Sequence, residues 1–230
     1  MMMYITRRTI GTALCGLLVC AAMLLCGGNR IARAGQDPVQ PRGLTLVMPF
    51  VDMAKVFGSH TSVRSPVSSK VFSTDVVHED ASHFLSNELY RLIGREKQLI
   101  WGAVSNDQDL MDASGSGSRN GHLAHLIALG RRKGADTILA GYVYAFRDKQ
   151  GGNYGVEEPA RVVFELALIS IKTGSILWQS SFKETQQPLS ENLLQLKTFI
   201  KRKGRWVSAW EMATTAMREM LRSEPRFNVP

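Results

Sequence analysis

The runs Gly134-Ala-Asp-Thr-Ile-Leu-Ala-Gly-Tyr-Val-Tyr-Ala-Phe146, Ala160-Arg-Val-Val-Phe-Glu-Leu-Ala-Leu-Ile-Ser-Ile171 and Ile176-Leu-Trp-Gln-Ser-Ser-Phe182 decide the fold. Each is rich in β-branched and aromatic residues, and Lys172-Thr-Gly-Ser175 joins the second to the third. This pattern predicts three consecutive strands, the last two forming a hairpin. Alternation in the second run puts Val162, Phe164, Leu166 and Leu168 on one face and Arg161 and Glu165 on the other. Toward Ile169 and Ile171 the second face turns apolar as well, which predicts a central strand with helices covering at least part of both sides.

Upstream, Leu44-Thr-Leu-Val-Met-Pro-Phe50 reads as a buried strand with Pro49 at its end, since proline cannot donate to a ladder. Residues Glu79 to Gly94 carry Phe84, Leu85, Leu89, Leu92 and Ile93 at helical spacing, with Gly94 placed for a left-handed stop. Gln98 to Val104 follows as a strand. Leu123, Leu126, Ile127 and Gly130 then mark a helix closed by Arg131-Arg132-Lys133 and Gly134. Past the hairpin, Leu189, Leu193, Leu196 and Ile200 form a further helical stripe. Ser208 to Glu211 is a capping box opening a last helix that buries Ala213, Met217, Met220 and Leu221 and ends before Pro225. The fold class expected is α/β, a mixed sheet of about five strands with helices packed on it, including a carboxyl-terminal hairpin and helices. Val51 to Val77 shows no sustained period. It is expected to be a long functional or mobile loop with a short strand near Val71-Phe72, and Ser114 to Ser118 a flexible one.

The 230 residues are 44% hydrophobic and 21% charged, enough for one sizeable core. Of the formal charge of +8, four units come from Arg7, Arg8, Arg30 and Arg33, which precede residue 35, where no Asp or Glu stands. The remaining +4 is too mild and too dispersed for a nucleic-acid binder. Residues 1 to 34 have a basic start, an apolar stretch from Ile10 to Leu25 and the small-residue end Ala32-Arg33-Ala34, the pattern of a secretory signal. An uncleaved anchor and a lipoprotein signal acylated at Cys26 are the competing readings, and Thr6-Arg7-Arg8-Thr9-Ile10 partly matches a twin-arginine signal. The organisation expected is a signal peptide over 1–34, a Pro-containing tether over 35–42 and a single α/β envelope domain over 43–230. Cys15, Cys20 and Cys26 all lie in the leader, so cleavage after Ala34 leaves a domain without disulfides or thiolate chemistry.

Chemistry-bearing motifs are sparse. His122 and His125 stand three apart on a helix, a spacing that serves metal ligands, and a periplasmic metal-binding protein or metal-dependent enzyme is the alternative reading they support. The plainer account is a pair of solvated histidines at a helix start. His78, Glu79, Asp80 and His83 read as helix-start groups, with the two acids favoured by the helix dipole. Ser180-x-x-Lys183 and Lys172-Thr-Gly174 match penicillin-binding motifs in the wrong order. No motif calls for a cofactor. Lys201-Arg202-Lys203-Gly204-Arg205 with Trp206 is the densest charge beyond the leader, and the candidate contact for an acidic envelope partner or an anionic membrane surface.

Taken together, Val47-Met-Pro-Phe50, the helix ending in Gly134-Ala135-Asp136, the strand with Gly141 and the hairpin Lys172-Thr-Gly-Ser-Ile-Leu-Trp178 resemble a superfamily of bacterial envelope proteins. It contains the curli-secretion lipoprotein, the penicillin-binding-protein activator lipoprotein B and the TolB amino-terminal domain. Leu44 to Phe182 and the last helix carry the resemblance. It implies an exported, non-enzymatic α/β domain, an accessory or assembly factor that binds other envelope proteins, with no catalytic residues to carry over. Where that family often has Asp before the Thr-Gly turn, Ser170 and Lys172 stand here.

Overall fold

A computed structural model describes residues 43–96, 98–102, 119–151, 156–186, 207–227 and 229. Its elements are β1 (Thr45–Val47), β2 (Val51–Asp52), α1 (Met53–Phe57), β3 (Ser62–Arg64), β4 (Val71–Ser73), α2 (Ala81–Ile93), β5 (Leu99–Trp101), α3 (Arg119–Arg132), β6 (Thr137–Arg147), β7 (Gln150–Gly151), β8 (Val156–Glu158), β9 (Arg161–Ser170), β10 (Ile176–Thr185) and α4 (Ala209–Arg222). The main sheet runs β10-β9-β6-β1-β5, with β2 added beside β6. Strand β1 is parallel to both β5 and β6, whereas β6, β9 and β10 form an antiparallel meander. The sheet is therefore mixed, as the sequence predicts.

Strand β9 is apolar on both faces because both faces are covered. Val162, Phe164, Leu166 and Leu168 point into one core with Leu85 and Leu89 of α2 and Ala213, Met217 and Leu221 of α4. Val163, Ala167 and Ile169 point into the other, with Leu126 of α3, Met53 of α1 and Val63, Val67 and Phe72 from the β3–β4 hairpin. Two glycines answer to close approach or handedness. Any Cβ at Gly141 would sit 2.8 Å from the Phe50 ring, and Gly134, at φ +69°, leads from α3 into β6 through the left-handed region. The capping box on α4 is formed as expected, Ser208 accepting from the Glu211 amide while the Glu211 carboxylate accepts from that of Ser208.

The stretch from Val51 to Val77 corrects the expectation of a long loop. It holds β2, α1 capped by Asp52 and closed at Gly58, and the β3–β4 hairpin. These elements are two to five residues long, too short for a periodicity to register. The expected strand near Val71-Phe72 is β4. Gly94 is also not left-handed; at φ −63° its amide continues the helical bonding to Tyr90, and a Cβ there would lie 2.5 Å from the Tyr90 carbonyl oxygen. Glu79 and Asp80 precede α2, and the N-cap Asp80 makes no side-chain cap. The leader, the Ser114 to Ser118 run and the expected helix around Leu189 to Ile200 lie outside the described residues.

Candidate functional site

A set of polar side chains is buried together beneath the β3–β4 hairpin. Glu165 projects from β9 onto the hairpin side of the sheet. Its carboxylate accepts from the hydroxyl of Ser65, from that of Ser68 at 3.1 Å and from that of Tyr144 at 2.6 Å. Ser65 Oγ in turn accepts from the amides of Val67 and Ser68, closing the hairpin turn on itself. Val67 is fully buried beside this cluster, and Phe72 stacks on Tyr144 with ring centroids 4.2 Å apart. Burial, and then the Glu165 carboxylate nearby, push the phenols of Tyr142 and Tyr144 well above the ordinary tyrosine value. Both stay neutral, and Tyr144 remains a hydrogen-bond donor. The carboxylate is a clasp for three hydroxyls.

His122 belongs to the same side of the fold. It is not solvated, as the helix-start position suggested, but 1% exposed, with Nε2 2.7 Å from the Tyr142 hydroxyl. Its partner lies on a strand twenty residues on, which spacing within the helix could not reveal. His125 is half-buried on the same helix, and no group of three His, Cys, Asp or Glu able to hold a metal occurs among the described residues. Ser180 and Lys183 stand on opposite faces of β10, opposite Leu166 and Val163 respectively, so the penicillin-binding-like motif does not converge. His78 packs edge-on against Trp210, and His83 lies 3.3 Å from the Asn87 amide. Lys201, Arg202, Lys203, Arg205, Trp206 and Cys26 lie outside the described residues.

What the surface offers is a different kind of feature. Among the described residues, strand β5 is the last of the sheet on one side, pairing with β1, and it carries Trp101 at 36% exposure. Tyr90 of α2, 55% exposed, meets that ring edge to face at a centroid distance of 4.7 Å. This aromatic pair was missed in the sequence, where Tyr90 is not among the apolar positions that mark the helix.

Comparison with known proteins finds similar chains among solved structures. No family model matches the chain, and none of the curated proteins does. The chain is similar to the PelC dodecamer from Paraburkholderia phytofirmans, at 16% identity over 80% of this chain and 89% of that one, with a TM-score of 0.40. It is similar to the LpoB C-terminal domain from Salmonella enterica, at 15% identity over 63% and 84% of the two chains, TM-score 0.31. Lipoprotein GNA1162 from Neisseria meningitidis matches at 11% identity over 69% and 96%, TM-score 0.34.

Proposed function

We propose that this chain is an exported, non-enzymatic protein of the bacterial envelope that acts as an accessory or assembly factor by binding other envelope proteins. The observation that carries the reading is the contrast between spent and offered groups. Glu165, Tyr144, Tyr142 and His122 are committed to hydrogen bonds inside the fold, while Trp101 and Tyr90 are exposed at β5, the last strand on that side among the described residues. Trp and Tyr are the residues most enriched at binding hot spots, and an open edge can accept an extended partner segment. The leader pattern over residues 1–34 supports export, with anchoring through Cys26 the lipidated form of the same reading. The basic turn from Lys201 to Arg205, with Trp206, supplies a second proposed contact, to an acidic partner or anionic lipid.

A photo-crosslinking residue at position 90 in native envelopes tests the reading. Capture of one discrete partner, lost in a Tyr90→Ala, Trp101→Ala variant that keeps its thermal midpoint, supports it. Turnover of a substrate by the purified protein, abolished by changing a single residue, refutes it. An Arg202→Ala, Arg205→Ala variant that folds and keeps every association at all salt concentrations removes the second contact.

A further inference from the structure

We infer that the end of the sheet where the chain enters the fold carries a docking surface for anionic lipid headgroups, formed by Arg131, Arg132, Lys133 and Lys172. The inference rests on the proposed envelope location and on the leader or Cys26 holding the chain at a membrane. None of these four residues belongs to the basic turn at Lys201.

The fold assembles the four from two separate elements. Helix α3 ends at Arg132, and Gly130 lies so close to Ile171 that a Cβ there would meet its side chain. The Ile171 amide donates to the Asp136 carbonyl at 2.9 Å, and Thr137 is in register with Ser170. The β9–β10 turn, and Lys172 with it, is thereby fixed beside the end of α3. All four cations are exposed, and none is ion-paired with a described residue. No Asp or Glu occurs from Arg119 to Ala135 or from Leu166 to Lys183. Asp136, the acid that follows Ala135 at this end of the sheet, is engaged by the Leu44 amide at 2.8 Å. The negative carboxyl end of α3 accounts for cations at Arg131 and Arg132, but Lys133 lies past the helix and Lys172 on another element. At the opposite end of β6 the charges are paired: Arg161 lies 3.2 Å from Asp75, and Arg147 3.6 Å from Glu158.

The position of the tether selects lipid as the occupant. The chain enters at Gly43-Leu44, where Leu44 accepts from the amides of Asp136 and Thr137, three and four residues past Lys133. From Gly27 to Arg42 there are about 16 residues, which reach at most ~55 Å when fully extended. A membrane attachment at the far end of that tether therefore returns these exposed cations to the lipid surface again and again, at high effective concentration. Attraction to anionic headgroups acts within a Debye length, about 8 Å at physiological salt, so of the surfaces such a tether brings to the membrane, the one carrying exposed cations is the one that engages.

Lysine footprinting of the full-length protein, carried into vesicles of phosphatidylglycerol and phosphatidylethanolamine or of phosphatidylcholine alone, tests this directly. On the anionic vesicles, acylation of Lys133 and Lys172 should slow by about threefold or more, Lys55 and Lys70 should be unchanged, and 0.5 M salt, which shortens the screening length to ~4 Å, should erase the difference. An Arg131→Ala, Arg132→Ala variant should restore Lys172 labelling on the anionic vesicles without altering that of Lys55. Protein that stays with both vesicle types but labels identically on them overturns the docking surface and leaves membrane attachment standing. Protein that associates with neither overturns both. Protection that appears only on adding envelope proteins assigns the rim to an acidic protein partner and overturns the lipid assignment.

Discussion

The two faces of one sheet are closed by different means. On one, α2 and α4 lay Leu85, Leu89, Ala213, Met217 and Leu221 across Phe164, Leu166 and Leu168, with apolar contact on both sides. On the other, beside the apolar contacts of α3, the β3–β4 hairpin reaches in with Val67 and is fastened by hydroxyls of Ser65 and Ser68 on the Glu165 carboxylate. The first closure tolerates any shape-conserving apolar set, because dispersion and water exclusion are non-directional. The second depends on particular atoms, because each buried hydroxyl is costly once its acceptor is gone. Stability should therefore concentrate on the helical face, and local order of the hairpin on the polar one.

The largest effect expected is on the helical face. Phe164 is fully buried between Phe50 and Phe182, at centroid distances of 6.0 and 5.8 Å. Phe164→Ala should lower the free energy of unfolding by ~3–5 kcal/mol, read as a shifted urea midpoint with an unchanged slope. A loss below 1 kcal/mol would mean that this face is loosely packed and the comparison is misdrawn.

Glu165→Ala comes next, and its signature differs in kind. It strips the acceptor from Ser65, Ser68 and Tyr144 together, and at ~1–3 kcal/mol for an unsatisfied buried group, with some relaxation, the cost should be ~2–4 kcal/mol. Amide exchange should accelerate across residues 62–73 well before it does in α2. Glu165→Gln keeps one carbonyl acceptor and should cost less than the alanine. Uniform acceleration through both faces would show that the hairpin is not a separately fastened unit.

The same comparison explains what could be read from the sequence. Val162, Phe164, Leu166 and Leu168 announce their face because the strand period is local, and Ser208-x-x-Glu211 announces a helix start because a cap is satisfied within three residues. The hairpin offers no such signal. Ser65 meets its acceptor 100 positions later, and His122 meets Tyr142 on another element. Val67 stands alone among polar neighbours, so only the tertiary structure identifies it as a core residue. Tyr90 and Trp101 are likewise joined by packing between a helix and a strand, at a spacing no motif describes.

Alkaline titration sharpens the contrast further. Tyr142 and Tyr144 both lie on the polar side, and their pKa values are raised in the folded state, so that state holds its phenolic protons longer than the unfolded chain. Their contribution is complete below the unfolded tyrosine pKa of ~10 and is lost as pH climbs above it, by up to ~1.4 kcal/mol per pH unit for each group. Urea midpoints taken at rising pH should fall in the parent protein and fall less steeply in Tyr144→Phe. A midpoint flat to pH 11 would mean that these phenols ionise without unfolding.

The smallest effect separates the buried fastening from a visible surface one. Lys70, at the end of the same hairpin turn, donates from Nζ to Ser181 Oγ on β10 at 2.8 Å, an exposed contact that crosses from the hairpin to the sheet. By geometry alone it looks like a tie of the same kind as Ser68 to Glu165. The difference is solvent: water replaces an exposed hydrogen bond at little cost, and ordering a long lysine side chain offsets part of what the bond contributes. Lys70→Ala should therefore change stability by no more than ~0.5 kcal/mol and leave exchange across residues 62–73 unaltered. Should Lys70→Ala loosen the hairpin more than Glu165→Gln does, the arm is held from its rim, and the buried carboxylate is a passenger in a closure made by Val67 and Phe72.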